Sequence, residues 1–350
     1  RSGSACADQL EQKVHQGSRS SAGVNYKGSL EMDSTDRDAL LVLFRQTDGA
    51  GWDRKEGWDT SDELGKWYGI TANEQGRAVQ LTRTYNNLQG SIPPKLGDLG
   101  ELKKLWLQGN QLSGPIPREL GNFSALETLN LSWNKLNGTV PKELGRLTAL
   151  EKLRLSHNSL TGSIPRELGN LTALKVLYLF DNKLSGMIPA ALGQLSKLEW
   201  LNLSENKLDG TIPPELGHLG ALQVLNLQTN RLSGAIPPEL GNLGALQVLD
   251  LRGNQLSGIP KFVAERFQQI PALRVRLDFN PWAEPSWEVV KGGWSQIISY
   301  YDDLQLSGET TFHRLKVVLV GAIGAGKTSL ASGLREGKPA PTTESERTRG

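Results

Sequence analysis

The sequence predicts an α/β solenoid, a stack of similar coils, over most of its 350 residues. Three observations carry this prediction. Asparagines recur every 24 residues, at positions 86, 110, 134, 158, 182, 206, 230 and 254. Each is followed four residues later by a glycine, from Gly90 to Gly258, and in the first seven units by an Ile-Pro or Val-Pro pair. A repeat of constant length is typical of stacked units that bury their apolar faces only against their neighbours.

The repeat places leucines in a fixed order around each asparagine. One regular copy consists of Leu126, Leu129, Leu131, Asn134, Leu136, Gly138, Val140, Pro141, Leu144, Gly145 and Leu147. The alternation of Leu129 and Leu131 predicts a short strand with one buried face. The asparagine is expected to turn inward, where its amide pairs with backbone groups of adjacent coils. Glycine permits a tight bend, and proline suits a position that donates no ladder hydrogen bond.

This pattern resembles the leucine-rich repeat in its 24-residue plant-type form, whose coils build a horseshoe. The resemblance covers residues 77–280 and implies about eight or nine repeats. The pattern becomes irregular at both ends, as the ends of a stack should. Arg83 stands where the first copy needs a leucine, and Ile259-Pro260 arrives one residue early. Asn280, followed by a proline and Trp282, is expected to close the array.

Composition limits the function classes. The net charge of +2 lacks the basic excess of a nucleic-acid binder. The longest apolar runs, 39–44 and 317–320, are too short to span a bilayer. Cys6 is the only cysteine, so the paired-cysteine caps of secreted repeat proteins are absent, which favours a cytoplasmic location. The chain starts with Arg1 and stops inside a motif, so we expect a fragment.

The N-terminal part is predicted to contain a disordered leader and a cap. Residues 1–33 are polar and have no period. Residues 34–76 are expected to cap the stack, with a short helix that starts near Ser34. Its apolar face would consist of Ala39, Leu40, Leu43 and Phe44, and Trp52, Trp58 and Trp67 would seal the end of the core.

The outward positions of the strands form a first candidate site. Large aromatic side chains and an arginine occur there, and these residue types anchor many protein interfaces. The predicted partner-binding residues are Trp106, Trp133, Arg154, Tyr178, Phe180 and Trp200. We expect a protein partner on this concave face. The alternative is that the rings only pack against neighbours along the sheet. His157 has no second ligand at metal-binding spacing, so no metal site is expected.

A glycine-rich loop near the C-terminus forms a second candidate site. Residues 315–320 read as a buried strand that runs into Gly-Ala-Ile-Gly-Ala-Gly-Lys-Thr, and a helical stretch follows. This is the strand–loop–helix context of a phosphate-binding P-loop. The predicted nucleotide-binding residues are Gly321, Ile323, Gly324, Ala325, Gly326, Lys327, Thr328 and Ser329. The hydroxyl of Thr328 would bind Mg²⁺.

The order of these segments resembles the Roco family, in which repeats precede a Ras-like α/β GTPase domain called Roc. Here the repeats are followed by a bridging helical segment, 281–311, and by a truncated Roc domain, 312–350. The resemblance implies GTP or GDP as ligand, Mg²⁺ held by Thr328 and Thr348, and a homodimer through a COR domain outside this chain. A downstream kinase domain occurs in some members.

The sequence therefore favours a cytoplasmic GTP-binding signalling scaffold. Hydrolysis of GTP is expected of a longer protein and not of these residues alone. Two alternatives stay open, namely an interaction or recognition module with a degenerate phosphate loop, and an ATP-binding switch. Substitution of Lys327 discriminates, because an unchanged phenotype without nucleotide binding favours the interaction module.

Overall fold

The computed structural model describes residues 26–270 and 272–307. The chain divides after Tyr300 into two compact units. The first contains the repeats, and of the second only 301–307 is described, as the end of a helix. The four α-helices in the described ranges are α1 (Tyr26–Gln46), α2 (Lys261–Gln268), α3 (Trp287–Val290) and α4 (Trp294–Ser307).

The strands are short and numerous. In chain order they are β1 (Ile70–Ala72), β2 (Ala78–Thr82), β3 (Gln89–Ser91), β4 (Lys104–Trp106), β5 (Gln111–Pro115), β6 (Thr128–Asn130), β7 (Lys135–Asn137), β8 (Lys152–Arg154), β9 (Thr161–Gly162), β10 (Val176–Tyr178), β11 (Lys183–Met187), β12 (Trp200–Asn202), β13 (Lys207–Asp209), β14 (Val224–Asn226), β15 (Ser233–Ala235), β16 (Val248–Asp250), β17 (Gln255–Gly258) and β18 (Arg274–Arg276).

The coils are held together by a ten-stranded sheet with the order β1-β2-β4-β6-β8-β10-β12-β14-β16-β18. Its strands are parallel except for β1 and β2. Residues 24 apart lie side by side, as Leu129 does with Leu105 and with Leu153. The remaining strands form short parallel sheets. Seven 3₁₀-helices complete the coils, at Pro94–Asp98, Arg118–Asn122, Lys142–Arg146, Arg166–Asn170, Ala190–Gln194, Pro214–His218 and Pro238–Asn242. The predicted plant-type solenoid is confirmed.

The recurring asparagines form a ladder inside the solenoid, as the sequence predicts. The amide nitrogen of Asn158 donates to the backbone oxygens of Leu131 and Leu155, both at 3.1 Å. Its amide oxygen accepts from the backbone nitrogen of Leu136 at 3.0 Å. Leu131 and Leu136 belong to the preceding coil, so one side chain satisfies backbone groups of two coils.

The N-terminal cap begins with α1, which starts at Tyr26 rather than near Ser34. The predicted disordered leader, 1–33, therefore overlaps a helix. Ala39, Leu40 and Leu43 are fully buried, and Trp52, Trp58 and Trp67 are at most 5% exposed. Helix α1 is tied to β2 by a buried ion pair, because Asp36 accepts from Arg77 at 2.9 Å and from the Ala78 backbone nitrogen. The bond to Asp36 raises the pKa of Arg77.

Arg83 is an isolated cation within this cap. Its side chain is fully buried, and the guanidinium carbon lies 4.9, 4.5 and 4.9 Å from the rings of Trp52, Trp58 and Tyr68. One nitrogen donates to the backbone oxygen of Arg54 at 3.2 Å. Its Nε and Nη2 atoms have no hydrogen-bond partner among the described residues. Burial lowers the pKa of Arg83 to about 9, which leaves it charged at neutral pH.

Replacing Arg83 with methionine is expected to raise the free energy of unfolding by roughly 1–2 kcal/mol. Methionine is unbranched and apolar, and it removes two unpaired donors while leaving no buried carboxylate without a partner. The folded-state pKa lies below the ordinary pKa of arginine, so the cost of the charge is complete below about pH 9 and fades above it. The gain should be constant between about pH 6 and 8 and shrink above pH 9. Urea unfolding followed by circular dichroism measures it, and a destabilised variant would show that the ring contacts outweigh desolvation.

The C-terminal end of the array departs from the repeat. Helix α2 stands where earlier coils have a 3₁₀-helix. Asn280 ends the ladder, since it donates to Leu251 and Leu277 and accepts from Leu256. Trp282, in the segment predicted to close the array, is buried and donates to the Leu277 backbone oxygen at 3.0 Å.

The predicted bridging segment, 281–311, contains α3 and α4. The ring of Trp294, the first residue of α4, meets Phe267 of α2 at 5.8 Å. Gln268 donates to the Ser295 hydroxyl at 2.9 Å. The beginning of α4 therefore packs against α2 at the end of the array.

Candidate functional site

The outward side of the ten-stranded sheet is a grid of side chains. In the strands of this sheet from β4 to β16, the middle residue, such as Leu129, Leu153 or Leu177, is fully buried. The first and third residues therefore point away from the core, because side chains alternate along a strand. In-register parallel pairing aligns equivalent positions of successive coils into rows. We call these outward positions, with the two or three residues that follow each strand, the sheet face.

Four rings on the sheet face touch one another in series. The Trp133 and His157 rings are stacked at 3.5 Å between centroids, with 25° between their planes. His157 meets Phe180 edge-on at 4.8 Å, and Phe180 meets Tyr178 edge-on at 5.9 Å. We call Trp133, His157, Phe180 and Tyr178 the aromatic cluster. Trp133 is 56% exposed, so much of its ring is available to a partner.

Two charged side chains hold the aromatic cluster in place. The Arg154 guanidinium carbon lies 5.5 Å from the Tyr178 ring centroid, in a cation–π arrangement. The His157 Nδ1 atom lies 2.6 Å from the Asp181 carboxylate. Burial raises the pKa of the Tyr178 hydroxyl, and the charge of Arg154 acts in the opposite direction. Tyr178 is therefore neutral at physiological pH and can both donate and accept a hydrogen bond.

The backbone turns the same way at Trp133, His157 and Asp181. Their φ angles are 57°, 52° and 52°, in the left-handed region. Few non-glycine residues adopt it, and such strain often occurs at functional sites. Here the conformation belongs to the repeat, because Glu205 and Thr229 share it at the same coil position. It places these side chains in one row, in which the Trp133 ring contacts His157 and His157 contacts Asp181.

The structure brings together four of the six predicted partner-binding residues. Trp133, Tyr178 and Phe180 are in the aromatic cluster, and Arg154 lies against it. Trp106 and Trp200 lie on the same face outside this series of rings. Trp106 is beside Thr82 and Asn130. Trp200, which is 39% exposed, is beside Val176 and Val224.

Sequence reasoning missed His157 and Asp181 as parts of this site. His157 was treated as an isolated histidine. The sequence does contain the signal, because Trp133, His157 and Asp181 are 24 residues apart and so occupy one row. Applying the register to the residues after the strands places all three in that row, whereas the contacts between them depend on the left-handed backbone there.

The predicted phosphate-binding segment lies outside the described residues. This applies to the whole P-loop set named above, Gly321, Ile323, Gly324, Ala325, Gly326, Lys327, Thr328 and Ser329, and to the proposed Mg²⁺ ligand Thr348. Binding of a nucleotide and Mg²⁺ by these residues stays a prediction.

Comparison with family models identifies the repeats. A model described as a leucine-rich repeat region matches residues 76–212. A second model, the leucine-rich repeat, matches residues 221–243 and 245–264. These matches cover the ladder asparagines from Asn86 to Asn254.

Similar proteins are plant proteins with the same repeat. A probable leucine-rich repeat receptor-like protein kinase of Arabidopsis thaliana is 37% identical over 79 residues, which are 22% of this chain and 8% of that protein. The solved ectodomain of the Arabidopsis membrane receptor kinase GASSHO1/SCHENGEN3, in complex with Casparian strip integrity factor 2, is 33% identical with a TM-score of 0.60. That match covers 72% of this chain and 36% of the ectodomain chain.

Two further solved structures extend the comparison. The plant peptide hormone receptor RGFR1, in complex with RGF2, is 39% identical with a TM-score of 0.52, covering 58% of this chain and 33% of that one. A plant ice-binding protein is 32% identical with a TM-score of 0.62, covering 72% of this chain and 80% of that one. The chain thus spans about a third of each of the two receptor chains.

These findings correct two predictions. The assignment to the Roco family is wrong, because the similar proteins are plant receptors, and the GTPase switch and the COR-mediated homodimer lose their support with it. The cytoplasmic location is also wrong, because the similar structures are ectodomains of membrane receptor kinases. The cysteine argument failed because tryptophans and the Asp36–Arg77 pair close the cap without disulfides.

No helix in the described part of the chain has the length and apolar character that crossing a membrane requires. The periodicity, the asparagine ladder and the family matches agree with one another. The array has the plant-type repeat, and this chain belongs to the leucine-rich repeat proteins.

Proposed function

We propose that this chain is the recognition module of a receptor-type leucine-rich repeat protein, and that it binds an extended peptide across the sheet face at the aromatic cluster. The observation that carries the proposal is the series of touching rings in the middle of the parallel sheet, in which Trp133 is exposed and Arg154 lies beside Tyr178. Two similar receptor structures, one of them named a peptide hormone receptor, are complexes with a named factor or hormone, which supports a peptide ligand.

The residue types suit this function energetically. Tryptophan, tyrosine and arginine dominate the binding energy of protein interfaces. A binding surface also gains when its side chains are already ordered, since each mobile side chain costs about 0.5–1.5 kcal/mol to immobilise. Ring contacts and the His157–Asp181 hydrogen bond order the cluster before any ligand arrives.

Packing along the sheet is the simpler explanation for exposed rings. It accounts for Phe180, which touches two other rings. It does not account for Trp133, whose side chain would be better buried if packing were its only role. The likeness to an ice-binding protein illustrates that one coil array supports different functions, so function is argued from the face and not from the fold.

The test is a selection of random dodecapeptides against the purified chain, followed by calorimetry on the selected peptides. Trp133→Ala and Tyr178→Ala are each expected to weaken binding about 30-fold, equivalent to ~2 kcal/mol. Met187→Ala is the control, because Met187 is a large exposed apolar residue on β11, away from the sheet face. It should leave the affinity within about twofold.

Two results would contradict the proposal. One is a selection that yields no binding peptide. The other is a set of peptides that bind the wild type, the Trp133 variant and the Tyr178 variant equally. Both changes are on the surface of the sheet, so the variants are expected to fold. Thermal melting followed by circular dichroism checks this.

A further inference from the structure

We infer that the ligand of the sheet face is an acidic peptide, whose carboxylates lie over Lys104, Lys152 and Arg154 on β4 and β8. This inference rests on the proposed function and names its ligand class. It comes from the distribution of charge over the face, which is uneven although the whole chain carries a net charge of only +2.

The outward strand positions in the middle of the sheet carry cations and no anions. At the outward strand positions from β2 to β14, the charged residues are Lys104, Lys152 and Arg154. Continuing along the sheet, the first carboxylate at such a position is Asp250 on β16, and it pairs with Arg252 at 2.6 Å. At the outward positions of β4, β6 and β8, a basic peptide would therefore meet only like charges, and an acidic one only opposite charges.

The three cations are also unpaired. In the described ranges, no carboxylate forms an ion pair with Lys104, Lys152 or Arg154. Glu151, the neighbour of Lys152 in sequence, pairs instead with Lys175 at 3.0 Å. The Nε atom of Arg154 is buried without a hydrogen-bond partner, and Tyr178 fixes the orientation of the guanidinium. A planar guanidinium that is already oriented suits a two-point contact with a carboxylate.

Spacing on the face matches an extended peptide. Lys104 and Lys152 are separated by β6, where Thr128 lies between them. Neighbouring strands are about 4.8 Å apart, which places the two lysine backbones ~10 Å apart. Side chains on one side of an extended peptide are about 7 Å apart at two residues and ~13 Å apart at four, which brackets that distance. A peptide that crosses the strands can therefore place two acidic side chains over this region while other side chains reach Trp106 and the aromatic cluster.

The surroundings disfavour a long uniform polyanion. Carboxylates surround the three cations. Glu127 and Glu151 come directly before β6 and β8, and Asp181 and Glu205 follow β10 and β12. Each would repel a ligand whose charge repeats without interruption. The face thus fits a ligand with a few carboxylates set among apolar side chains, as in an acidic peptide.

The experiment uses two synthetic pools of random dodecapeptides that differ only in their charged residues, Asp and Glu in one and Lys and Arg in the other. Each pool is immobilised, and binding of the chain is measured by interferometry at low and high salt. We expect the wild type to bind the acidic pool at least about tenfold more tightly, with the difference shrinking at high salt. The triple variant Lys104→Glu, Lys152→Glu and Arg154→Glu is expected to reverse the preference.

The control is Lys207→Glu on β13. It also replaces a cation with an anion, but away from the sheet face. It should keep the acidic preference. The single variant Lys152→Gln should reduce that preference severalfold, and it supplies the answer if the triple variant does not fold. Equal binding of both pools through the aromatic cluster would overturn the acidic ligand and leave the proposed function standing. Binding of neither pool would overturn both.

Discussion

Replacing Asn182 with alanine is expected to lower the free energy of unfolding by about 2–5 kcal/mol. The Asn182 amide donates to the backbone oxygens of Leu155 and Leu179 at 3.0 and 3.1 Å. It also accepts from the Leu160 backbone nitrogen at 2.9 Å. Alanine offers none of these contacts, so the Leu160 backbone nitrogen is left without a partner. The Leu155 and Leu179 oxygens each lose one of two asparagine donors and keep Asn158 and Asn206, respectively. Each buried polar group without a partner costs about 1–3 kcal/mol.

The matched control is Asn137→Ala. Asn137 is exposed at the end of β7 and has no side-chain hydrogen bond to the rest of the described chain. This change is expected to stay within about 0.5 kcal/mol of the wild type. Urea unfolding monitored by circular dichroism gives both midpoints, and comparison of the slopes checks that cooperativity is retained. Equal midpoints for the two variants would mean that the ladder does not stabilise the array.

The periodicity was sufficient to predict the solenoid and its ladder. Each coil has the same length, so the leucine pattern also determines the register, and Leu105, Leu129 and Leu153 lie side by side as expected. The ends were harder to predict because no neighbouring copy constrains them. Helix α1 begins at Tyr26, within the predicted disordered leader, and the buried charge of Arg83 depends on three rings that no periodicity brings together.

The sheet face was predictable in part for the same reason. Strand alternation correctly placed Trp133, Arg154, Tyr178 and Phe180 on one surface. It did not show which of these side chains touch, since that depends on the direction of the chain after each strand. The left-handed turn at His157 brings its ring against Trp133 and its Nδ1 atom to the Asp181 carboxylate. A repeat pattern gives positions, whereas contacts also require the backbone angles.

The Roco assignment was wrong because it combined the leucine-rich repeats with a separate glycine-rich motif. The repeats are shared with plant receptors. The segment from Gly321 to Thr328 lies outside the described residues, so its resemblance to a phosphate loop stays a prediction. A motif of eight residues is weaker evidence for a family than a repeat that covers residues 77–280.

The second large effect is expected from Gly145→Ala, which should lower the free energy of unfolding by about 3 kcal/mol. Gly145 is buried in the 3₁₀-helix Lys142–Arg146. A Cβ atom there would lie 2.3 Å from the backbone oxygen of Glu167 and 2.7 Å from its carbonyl carbon. Both atoms belong to the backbone of the next coil, so no side-chain rotation can relieve the clash. The coils would have to move apart, yet the sheets and the ladder fix their spacing.

Gly220→Ala separates this clash from the general effect of removing a glycine. A Cβ atom at Gly220 has no neighbouring atom within 4 Å. Alanine there restricts the unfolded chain and should be neutral or stabilise by up to about 1 kcal/mol. Gly121 and Gly217 face the backbone of the next coil as Gly145 does, so alanine at either should repeat the loss. If Gly145→Ala unfolds at the same urea concentration as Gly220→Ala, the coils can separate locally, and their spacing is not set by this contact.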